Sequence, residues 1–407
     1  MKIAMMTNSY LPYTAGVPIS IQRLSEGLRR EGHEVTIFAP AYDGGRTADG
    51  GTVRYRSFIT GIVNGAAVPN CFDRNIGRAF EEGNFDVIHV HHPMMIGWTA
   101  AYLSRRYHVP LVLTYHTRYE QYLHYIKASC LRSAVPRYMK NYMKFCDMVF
   151  APTPLMQEYL WEIGCEAPVR VLPTGLMDDS FCADDETVGR EAAVLRQKLL
   201  GAGGGSPKYL FCTVARLAKE KNLEFLFRAL AERKRAAQSA DFRLVLVGEG
   251  PEEKHLRQLA ARLGLGQEIC FAGRVPNEEI KTYCHAADLF LFSSLSETQG
   301  IVLLEAMAAG TPVGAVRATG VRDIVVDGVN GFMTDGSETA FAAALDSALR
   351  SPRAALEKGA LDTAYKYRTQ DIARRAAAAY RAAVEVREYT DTISPGGFLL
   401  HKISGIL

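Results

Sequence analysis

Short apolar segments alternate with helix-forming segments along the chain, and this alternation constrains the fold more than any other feature. Each apolar segment has the length of a buried strand and is followed by a stretch rich in helix formers. Such an alternation favours a parallel sheet with helices on both faces. The predicted strands fall into two series, residues 2–6, 34–39, 53–58, 86–90, 110–114, 148–151 and 169–172, then 209–214, 243–248, 268–272, 288–292 and 311–316. The sequence therefore predicts an α/β protein with two doubly wound, Rossmann-like domains.

Helices are predicted between the strands and at the end of the chain. They cover residues 19–31, 74–82, 96–107 and 155–163 in the first series, 223–235, 252–263, 278–286 and 301–309 in the second, and 338–387. Residues 173–181, with Pro, Gly and two Asp, interrupt the pattern and are the candidate hinge. At 407 residues the chain has the length of two domains. We place these domains at residues 1–178 and 179–380, followed by a C-terminal helix and tail at 381–407.

Composition excludes several classes of protein. The net charge is +3, so no overall field recruits nucleic acid. No apolar run approaches the length that spans a membrane, and the first run, residues 3–6, is too short for a signal peptide. The eight cysteines are scattered without a Cys-x-x-Cys pair, as in reduced cytosolic proteins. We therefore expect a cytoplasmic protein that is soluble or attached to a membrane surface.

The stretch 294–313 carries two carboxylates in a strand–loop–helix segment. Glu297 lies in the polar loop that leaves a predicted strand, and Glu305 lies inside the next helix, which Gly310 would end. In open α/β sheets, ligands bind at the carboxyl ends of strands, where such loops lie. A carboxylate can hold a vicinal diol, and the amides that open the helix can hold an anion. The alternative is a buried helix with one Glu turned to solvent.

This stretch closely resembles the Glu-x7-Glu signature of the retaining glycosyltransferases of family 4, which have the GT-B fold. The resemblance implies that Glu297 contacts the hydroxyls of a donor sugar and that Glu305 contacts the ribose of its nucleotide. It also implies that two Rossmann-like domains face a cleft and that the last helix crosses back to the first domain. Donor-binding roles are implied for the residues between the two carboxylates, Thr298, Gln299, Gly300, Ile301 and Val302.

Cations follow the first strand of the predicted second domain. Arg216, Lys219 and Lys221 lie at the carboxyl end of that strand, where two fixed cations suit a diphosphate. A solvated loop is the ordinary explanation of such a charge run. The family has Arg and Lys at the positions of Arg216 and Lys221, which implies that they hold the donor phosphates and stabilise the leaving diphosphate. No Asp-x-Asp metal signature occurs. We expect no metal and no cofactor besides the nucleotide-sugar substrate.

Four glycine-containing or strand-end segments complete the predicted donor site. Gly16, between the first strand and the first helix, would let the backbone approach a phosphate, although an ordinary turn glycine is an equal alternative. Gly248 ends a strand and predicts a nucleotide-facing turn, and Arg274 with Val275 resembles the family segment that packs against the base. His116 ends the fifth predicted strand. The resemblance implies that His116 lies at the catalytic centre and binds the donor sugar.

Two segments limit this assignment. His89, His91 and His92 straddle a strand end, where alternation turns successive side chains to opposite faces, so we expect no metal site there. The segment Thr-Gly-Val-Arg-Asp at 319–323 replaces the Gly-Gly-x-Pro-Glu that is common in the wider family. This departure weakens the transfer of detailed roles to residues 319–323.

A basic and aromatic stretch at residues 117–146 indicates the acceptor side. Its basic residues share one face of a predicted helix and its apolar residues share another, as in elements that lie on a membrane surface. A solvated helix is the alternative, and no nucleic-acid recognition fold accompanies the patch. The candidate acceptor or membrane contacts are Tyr119, Tyr122, His124, Tyr125, Arg132, Arg137, Lys140 and Lys144.

The motif Arg-Tyr-Glu-Gln-Tyr-Leu-His-Tyr, which follows His116, resembles the diacylglycerol glucosyltransferases of the same family. The resemblance implies a retaining glycosyltransferase that moves a sugar, best glucose from UDP-glucose, to diacylglycerol at an anionic membrane surface. Phosphatidylinositol or a soluble acceptor are the alternatives within the family. A non-catalytic protein of the same fold that binds a nucleotide sugar or a lipid is the alternative from another class. We expect a peripheral position on the inner face of the cell membrane.

Overall fold

The chain forms two compact units in the computed structural model, which describes residues 1–13, 15–42, 51–60, 67–122, 133–201, 207–238 and 240–393. Unit 1 comprises Met1–Gly175 together with the chain from Thr369 onward. Unit 2 comprises Leu176–Arg368. The first boundary therefore lies within the predicted hinge, just before the predicted boundary at residue 178.

Unit 1 contains a seven-stranded parallel sheet in the order β3-β2-β1-β6-β7-β8-β9, and β4 and β5 form a separate antiparallel pair. Its elements up to residue 175 are β1 (Lys2–Met6), α1 (Gly16–Arg30), β2 (Glu34–Pro40), β3 (Thr52–Tyr55), β4 (Ser57–Thr60), β5 (Ala67–Pro69), α2 (Arg74–Gly83), β6 (Val87–Val90), α3 (Ile96–Tyr107), β7 (Leu111–Thr114), α4 (Tyr119–Tyr122), α5 (Ala134–Met143), β8 (Met148–Ala151), α6 (Pro154–Glu162) and β9 (Val169–Val171).

The single strand predicted at 53–58 is instead the end of β3 and the start of β4. The backbone amide of Arg56, between the two strands, donates to the Asp73 carboxylate at 2.8 Å. The same carboxylate accepts from the amide of Asn75 at 3.0 Å and so caps the first turn of α2. The side chain of Asp73, the residue that caps α2, therefore binds the Arg56 amide between β3 and β4, a contact that the local pattern of residues 53–58 does not show.

Side-chain alternation along β1 divides the core of unit 1 between the two faces of the sheet. Ile3 and Met5 are buried against α1, whereas Ala4 and Met6 belong to a cluster that includes residues of α2, α3, α5 and α6. Burial on both faces explains why these strands are continuously apolar.

Unit 2 contains a six-stranded parallel sheet in the order β12-β11-β10-β13-β14-β15. Its elements are α7 (Glu186–Gly201), β10 (Tyr209–Val214), α8 (Leu223–Ala237), β11 (Phe242–Val247), α9 (Glu253–Arg262), β12 (Ile269–Gly273), α10 (Asn277–Ala286), β13 (Leu289–Phe292), α11 (Ile301–Ala308), β14 (Val313–Val316), α12 (Thr319–Arg322), β15 (Gly331–Thr334), α13 (Glu338–Arg350) and α14 (Arg353–Tyr365). Helix α7 and strand β15 were not predicted from the sequence.

The helical tail predicted at 338–387 consists of three helices. Pro352 follows α13 and precedes α14, where its ring cannot continue a helix. After α14, Arg368 forms an isolated β-bridge with Leu176, and the Leu176 amide donates to the Tyr367 carbonyl at 2.7 Å. The last helix, α15 (Thr369–Ile393), begins immediately after this bridge.

Helix α15 belongs to unit 1 from its first turn. Ala373, Ala376 and Tyr380 are fully buried in the cluster that contains α1. A Cβ added to Gly27 of α1 would lie 2.8 Å from Thr369 Cγ2 and 2.9 Å from Ala373 Cβ, so this glycine permits the close packing of the two helices. The return to unit 1 therefore starts at Thr369, earlier than the predicted residue 381. Within the described ranges, no helix has both the length and the apolar character needed to cross a membrane.

Candidate functional site

The strand order of unit 2 reverses at β10. This strand pairs with β11 on one side and with β13 on the other, so the loops that follow β10 and β13 leave the sheet side by side. Ligand sites of open α/β sheets lie at such points. The first loop carries Arg216 and Lys221, and the second carries Glu297. The topology thus gathers predicted site residues from two distant parts of the sequence.

Lys221 and Glu297 form an ion pair between these two loops. The Lys221 Nζ ammonium contacts Oε1 of Glu297, and both side chains keep about a fifth of their surface exposed. The Ser294 hydroxyl donates to the same carboxylate oxygen at 3.0 Å. A predicted phosphate-binding cation and a predicted sugar-binding carboxylate are therefore in direct contact and remain accessible.

Two serines that were not predicted tie the same loops together. The Ser293 hydroxyl donates to the backbone carbonyl of Lys221 at 2.8 Å. The Ser294 hydroxyl also lies 3.2 Å from the carbonyl oxygen of Glu220. Both serines are buried, so these bonds fix the backbone that presents Lys221. Their only sequence signal is the position of two hydroxyls directly after a buried strand.

Arg216 follows β10 with an exposed side chain, on a loop that is packed tightly against the end of β11. The Leu217 amide donates to the Glu249 carbonyl at 3.0 Å. Gly248 has φ +130°, and a Cβ there would lie 2.0 Å from the carbonyl oxygen of Ala215. A side chain at position 248 would therefore collide with the loop that carries Arg216, so the packing of this loop requires a glycine there. This structural requirement is separate from the predicted role of Gly248 near a nucleotide.

The beginning of α11 is shaped by two glycines. Gly300 precedes the helix in the left-handed conformation, with φ +70°. Gly320 of α12 donates its amide to the Glu297 carbonyl at 3.0 Å, and a Cβ there would lie 2.8 Å from both that oxygen and the Gln299 amide nitrogen. The segment 319–323, which departs from the family pattern, therefore packs directly against the backbone of the loop that carries Glu297. Thr298, Gln299, Ile301 and Val302 lie around this junction.

Glu305 lies one turn into α11 and is partly buried. Its charge is one of the smaller causes that raise the pKa of Cys284 well above its ordinary value, after the hydrogen bond with Cys212, burial and the charge of Cys212. Arg274 and Val275 lie farther along the sheet, after β12 at its edge. The Arg274 guanidinium is exposed and lies 3.9 Å from the Glu249 carboxylate. The side chain of Arg274 therefore lies near the residue that follows the end of β11, and no contact with the loop after β13 is seen among the described residues.

The reversal of strand order in unit 1 lies at β1, between β2 and β6. His116 follows β7, and its Nε2 lies 2.9 Å from Nδ1 of His91, which follows β6. The two rings are nearly parallel, with centroids 5.2 Å apart. His92 has partners of its own next to β1: its Nδ1 lies 3.2 Å from the Thr7 hydroxyl and accepts from the Asn8 amide. His91 and His92 therefore bind different neighbours, and the opposite orientation expected for them stays a prediction.

His89 extends the same cluster towards the C-terminal helix. Its ring lies 4.1 Å from that of His91, because residues two apart on a strand share a face. His89 Nε2 lies 2.6 Å from the Thr114 hydroxyl, and its Nδ1 lies 2.7 Å from the hydroxyl of Tyr380 on α15. A buried chain of side chains therefore runs from α15 to His116. This chain joins residues that are far apart in the sequence and was not predicted.

Burial keeps these imidazoles neutral. It lowers the pKa of His89 to about 3 and that of His92 to about 4. Burial is also the largest cause that lowers the pKa of His91 and of His116 well below the ordinary value, with neighbouring histidines adding to it. At neutral pH the His91–His116 hydrogen bond therefore joins two neutral rings, one of which donates and the other accepts.

The hydrogen-bond network assigns the donor in this pair to His91. Nε2 of His91 is buried and has no hydrogen-bond partner in the described part of the chain. A proton on that nitrogen would be a buried donor without an acceptor, which costs more than a bare lone pair. The favoured arrangement puts the proton on Nδ1, from which His91 donates to Nε2 of His116. His116 then carries its own proton on Nδ1 and presents a neutral donor.

Gly16 is the first residue of α1. A Cβ added to it would meet no other described atom within 4 Å. Contacts within the described protein therefore do not require a glycine here.

Helix α5 has one buried and one exposed face, as predicted. Met139, Tyr142 and Met143 are buried, whereas Arg137 and Lys144 are exposed. Lys140 is only partly exposed, and Tyr119 is packed edge-to-face against Tyr115 at a centroid distance of 6.4 Å. Of the other predicted contacts, only the backbone of Tyr122 in α4 is described, and His124, Tyr125 and Arg132 lie outside the described residues.

Comparison with protein families identifies the two units. Residues 14–179 match the model "Glycosyltransferase Family 4", and residues 203–364 match the model "Glycosyl transferases group 1". The D-inositol 3-phosphate glycosyltransferase of Acidothermus cellulolyticus is 32% identical over 331 residues, which are 77% of this chain and 70% of that protein. The chain belongs to the family 4 glycosyltransferases. The family resemblance of the 294–313 stretch is thereby confirmed.

A second relative and a solved structure of another protein extend the comparison of this family 4 glycosyltransferase. The alpha-monoglucosyldiacylglycerol synthase of Streptococcus pneumoniae is 29% identical over 364 residues, which are 86% of this chain and 79% of that protein. The crystal structure of Anabaena HepE in complex with UDP has a TM-score of 0.73 at 21% identity and covers 94% of this chain and 100% of its own. The predicted fold class is therefore confirmed.

Among the residues that the structure describes in this family 4 glycosyltransferase, no group of three or more His, Cys, Asp or Glu side chains could hold a metal ion. Independence from metals stays a prediction, because it concerns the reaction and not only the resting side chains. The roles assigned to individual site residues likewise stay predictions.

Proposed function

We propose that this glycosyltransferase transfers glucose from UDP-glucose to diacylglycerol at a membrane surface, with retention of the anomeric configuration. The contact between Lys221 and Glu297 at the reversal of strand order in unit 2 carries the donor half of this proposal. It joins a cation suited to a phosphate and a carboxylate suited to sugar hydroxyls, at the place where open α/β sheets bind ligands. The fold neighbour HepE was solved in complex with UDP, which supports a uridine nucleotide.

In the proposed reaction the bond from the anomeric carbon to the diphosphate breaks, and the acceptor hydroxyl oxygen bonds to that carbon from the same face. The acceptor proton leaves on the diphosphate, which departs as UDP. Lys221 and Arg216 stabilise the charge that builds on the diphosphate. Glu297 holds hydroxyls of the sugar, and Glu305 holds the ribose. With two cations in this role, the reaction needs no metal.

Two residues of unit 1 keep the roles that the family resemblance implies for them. Contacts within the described protein do not require a glycine at position 16, which agrees with close approach of a phosphate to its backbone. His116, held as a neutral Nδ1 donor by His91, offers a hydrogen bond to a sugar hydroxyl. The buried surroundings of the His91–His116 pair keep water from competing for that donor.

The acceptor half rests on similarity and on charge. The relative from Streptococcus pneumoniae is named as an alpha-monoglucosyldiacylglycerol synthase. The exposed cations Arg137 and Lys144 of α5 suit an anionic membrane surface. A soluble inositol phosphate is the second candidate acceptor, because the relative from Acidothermus cellulolyticus is named for that substrate and is 32% identical.

A matrix of donors and acceptors tests the proposal. Purified protein is incubated with UDP-glucose, UDP-galactose or GDP-mannose, each with diacylglycerol in neutral detergent, phosphatidylinositol or inositol phosphate, and products are identified by mass spectrometry and anomeric NMR couplings. We expect α-glucosyldiacylglycerol as the main product. Glu297→Gln, which keeps the size of the side chain but removes its charge, should abolish it. Efficient transfer to inositol phosphate, or a β-linked product, would overturn the proposal.

A further inference from the structure

The outer sides of α3 and α5 form one exposed surface, here called the α3–α5 face. The exposed residues recur every three to four positions along each helix, so each set lies on one side of its helix. The α3–α5 face consists of Trp98, Tyr102, Arg105 and Arg106 from α3 and Arg137, Asn141 and Lys144 from α5.

Direct contacts hold the two helices side by side. The Tyr142 hydroxyl of α5 donates to the Gly97 carbonyl of α3 at 2.8 Å. The Trp98 ring is packed edge-on against Tyr142 and Phe145, with centroid distances of 5.7 and 5.5 Å. The Arg105 guanidinium covers the Phe145 ring at 4.2 Å. The α3–α5 face is therefore a single surface with fixed side chains at the junction of the helices.

Two large aromatic side chains on this face are exposed to solvent. Trp98 is 45% exposed and Tyr102 is 60% exposed, one helical turn apart on α3. Trp98 is anchored by its ring contacts on one side while its other side reaches the surface. Indole and phenol rings that are anchored in this way are typical of proteins that bind at the headgroup level of a bilayer.

The charge of the face has one sign. Residues 96–107 and 133–146 contain five basic residues and no acidic one. Two acidic groups lie at its borders. Glu81 of α2 is the last of the causes that act on the pKa of Arg106, which is raised chiefly by Tyr107 and Tyr102. Asp147, just after α5, is paired with Arg387 at 3.1 Å. An anionic partner is therefore favoured over the whole face.

We propose that the α3–α5 face docks on an anionic lipid bilayer, with Trp98 and Tyr102 in the headgroup region and Arg105, Arg137 and Lys144 against lipid phosphates. This inference rests on the proposed function, which places the enzyme at a membrane. It goes beyond that function because it names α3 as the inserting element, whereas the sequence indicated α5 alone. Exposed rings beside cations also occur in proteins that bind single-stranded nucleic acid. We favour lipid because the proposed acceptor is a lipid and because indole and phenol rings next to cations suit the headgroup region of a bilayer.

The chain supplies its own pair of probes, because it contains only two tryptophans. Trp161, on α6, is 54% exposed and so resembles Trp98 in accessibility. Trp161→Phe leaves Trp98 as the sole indole, and Trp98→Phe leaves Trp161. Each protein is titrated with phosphatidylglycerol vesicles whose acyl chains carry bromine, which quenches tryptophan at short range. Vesicle co-sedimentation is measured in parallel, at low and high salt.

We expect bromine to quench Trp98 more strongly than Trp161, with Trp98 quenching weakened at high salt as the cations are screened. Quenching of Trp161 but not Trp98 would show that another surface docks. Co-sedimentation without quenching of either tryptophan would also overturn the proposal, because Trp98 would then lie outside the bilayer. A protein that binds a single-stranded oligonucleotide but not the vesicles would make the face a nucleic-acid site.

A charge-reversal pair tests the cations separately. Arg137→Glu with Lys144→Glu should weaken vesicle binding by roughly tenfold or more, since both charges lie near the lipid surface. Arg74→Glu with Arg78→Glu is the matched control: the same charge change, one turn apart on α2 of the same unit, with both side chains exposed. If both pairs weaken vesicle binding equally, the net charge of the protein and not the α3–α5 face determines binding, and the proposal fails. Melting temperatures of all variants confirm folding.

These readouts are independent of turnover. If Trp98 is quenched but no donor and acceptor pair is converted, the docking surface stands and the proposed function fails. If α-glucosyldiacylglycerol forms in neutral detergent but Trp98 is not quenched on vesicles, the function stands and the docking surface fails.

Discussion

Replacement of His91 tests whether the buried histidine pair matters for the reaction. His91→Leu keeps a side chain of similar volume but removes the donor that is 2.9 Å from Nε2 of His116. Nε2 of His116 would then lose the hydrogen bond that His91 donates, and His116 would no longer be held with its proton on Nδ1. His91→Asn is the matched variant, because its side-chain amide lies near the former position of Nδ1 and can donate to His116.

The structure sets the size of the expected effect. Removing the partner of a buried polar atom costs about 1–3 kcal/mol. If this cost appears in the transition state, where His116 has to donate from Nδ1, kcat/KM for the donor falls by roughly 5- to 150-fold. We expect this loss in His91→Leu and recovery of most of the activity in His91→Asn.

The assay is the initial rate of glycosyl transfer as a function of donor concentration, with thermal melting of each variant measured beside it. A purely structural role would lower the melting temperature of both variants and leave kcat/KM similar in the folded fraction. Our reasoning fails if His91→Leu keeps its rate within twofold of the parent. It fails equally if His91→Asn loses as much activity as His91→Leu, since the proton position would then be irrelevant.

Three further predictions concern the donor site and the buried imidazoles. Lys221→Ala and Arg216→Ala should each lower kcat by roughly 100-fold or more, the scale for losing a preorganised charge partner; near-normal rates in both would refute the diphosphate assignment. Activity should persist in excess EDTA, and a loss that magnesium or manganese restores would show that the cations do not replace a metal. Stability should fall in acid, because the pKa of His89 is lowered to about 3 and that of His92 to about 4 in the folded protein, below the ordinary 6.5. The unfolded chain therefore takes up protons that the folded one does not as the pH drops below 6.5, at a cost of up to about 1.4 kcal/mol per pH unit for each histidine. Urea unfolding measures this, and a free energy of unfolding that is constant from about pH 6.5 to pH 5 would contradict it.

The order of strands and helices was predictable because its signals are local. The strands predicted at 148–151 and 209–214 have the bounds found in the structure. The helix predicted at 301–309 ends at Ala308, followed by Gly310 with φ +77°. Apolar runs of strand length and a glycine suited to the left-handed conformation act over a few residues, so a short window of sequence contains them.

Part of the candidate site was also predictable for the same reason. Glu297 and Lys221 were selected from their own loops, each at the end of an apolar strand and each within a recognisable motif. Their ion pair was not predictable from either loop. It depends on β13 lying next to β10, although β11 and β12 come between them in the sequence.

The remaining features were decided by tertiary structure alone. Asp73 divides a predicted strand by binding the amide of Arg56. The pairing of β6 with β7 brings His91 to His116, and Tyr380 reaches His89 across 291 positions of the chain. Trp98 becomes part of a basic surface only because α3 is packed against α5. A sequence pattern records which residues prefer burial or exposure, but which distant residues share a buried space is fixed by how the elements pack.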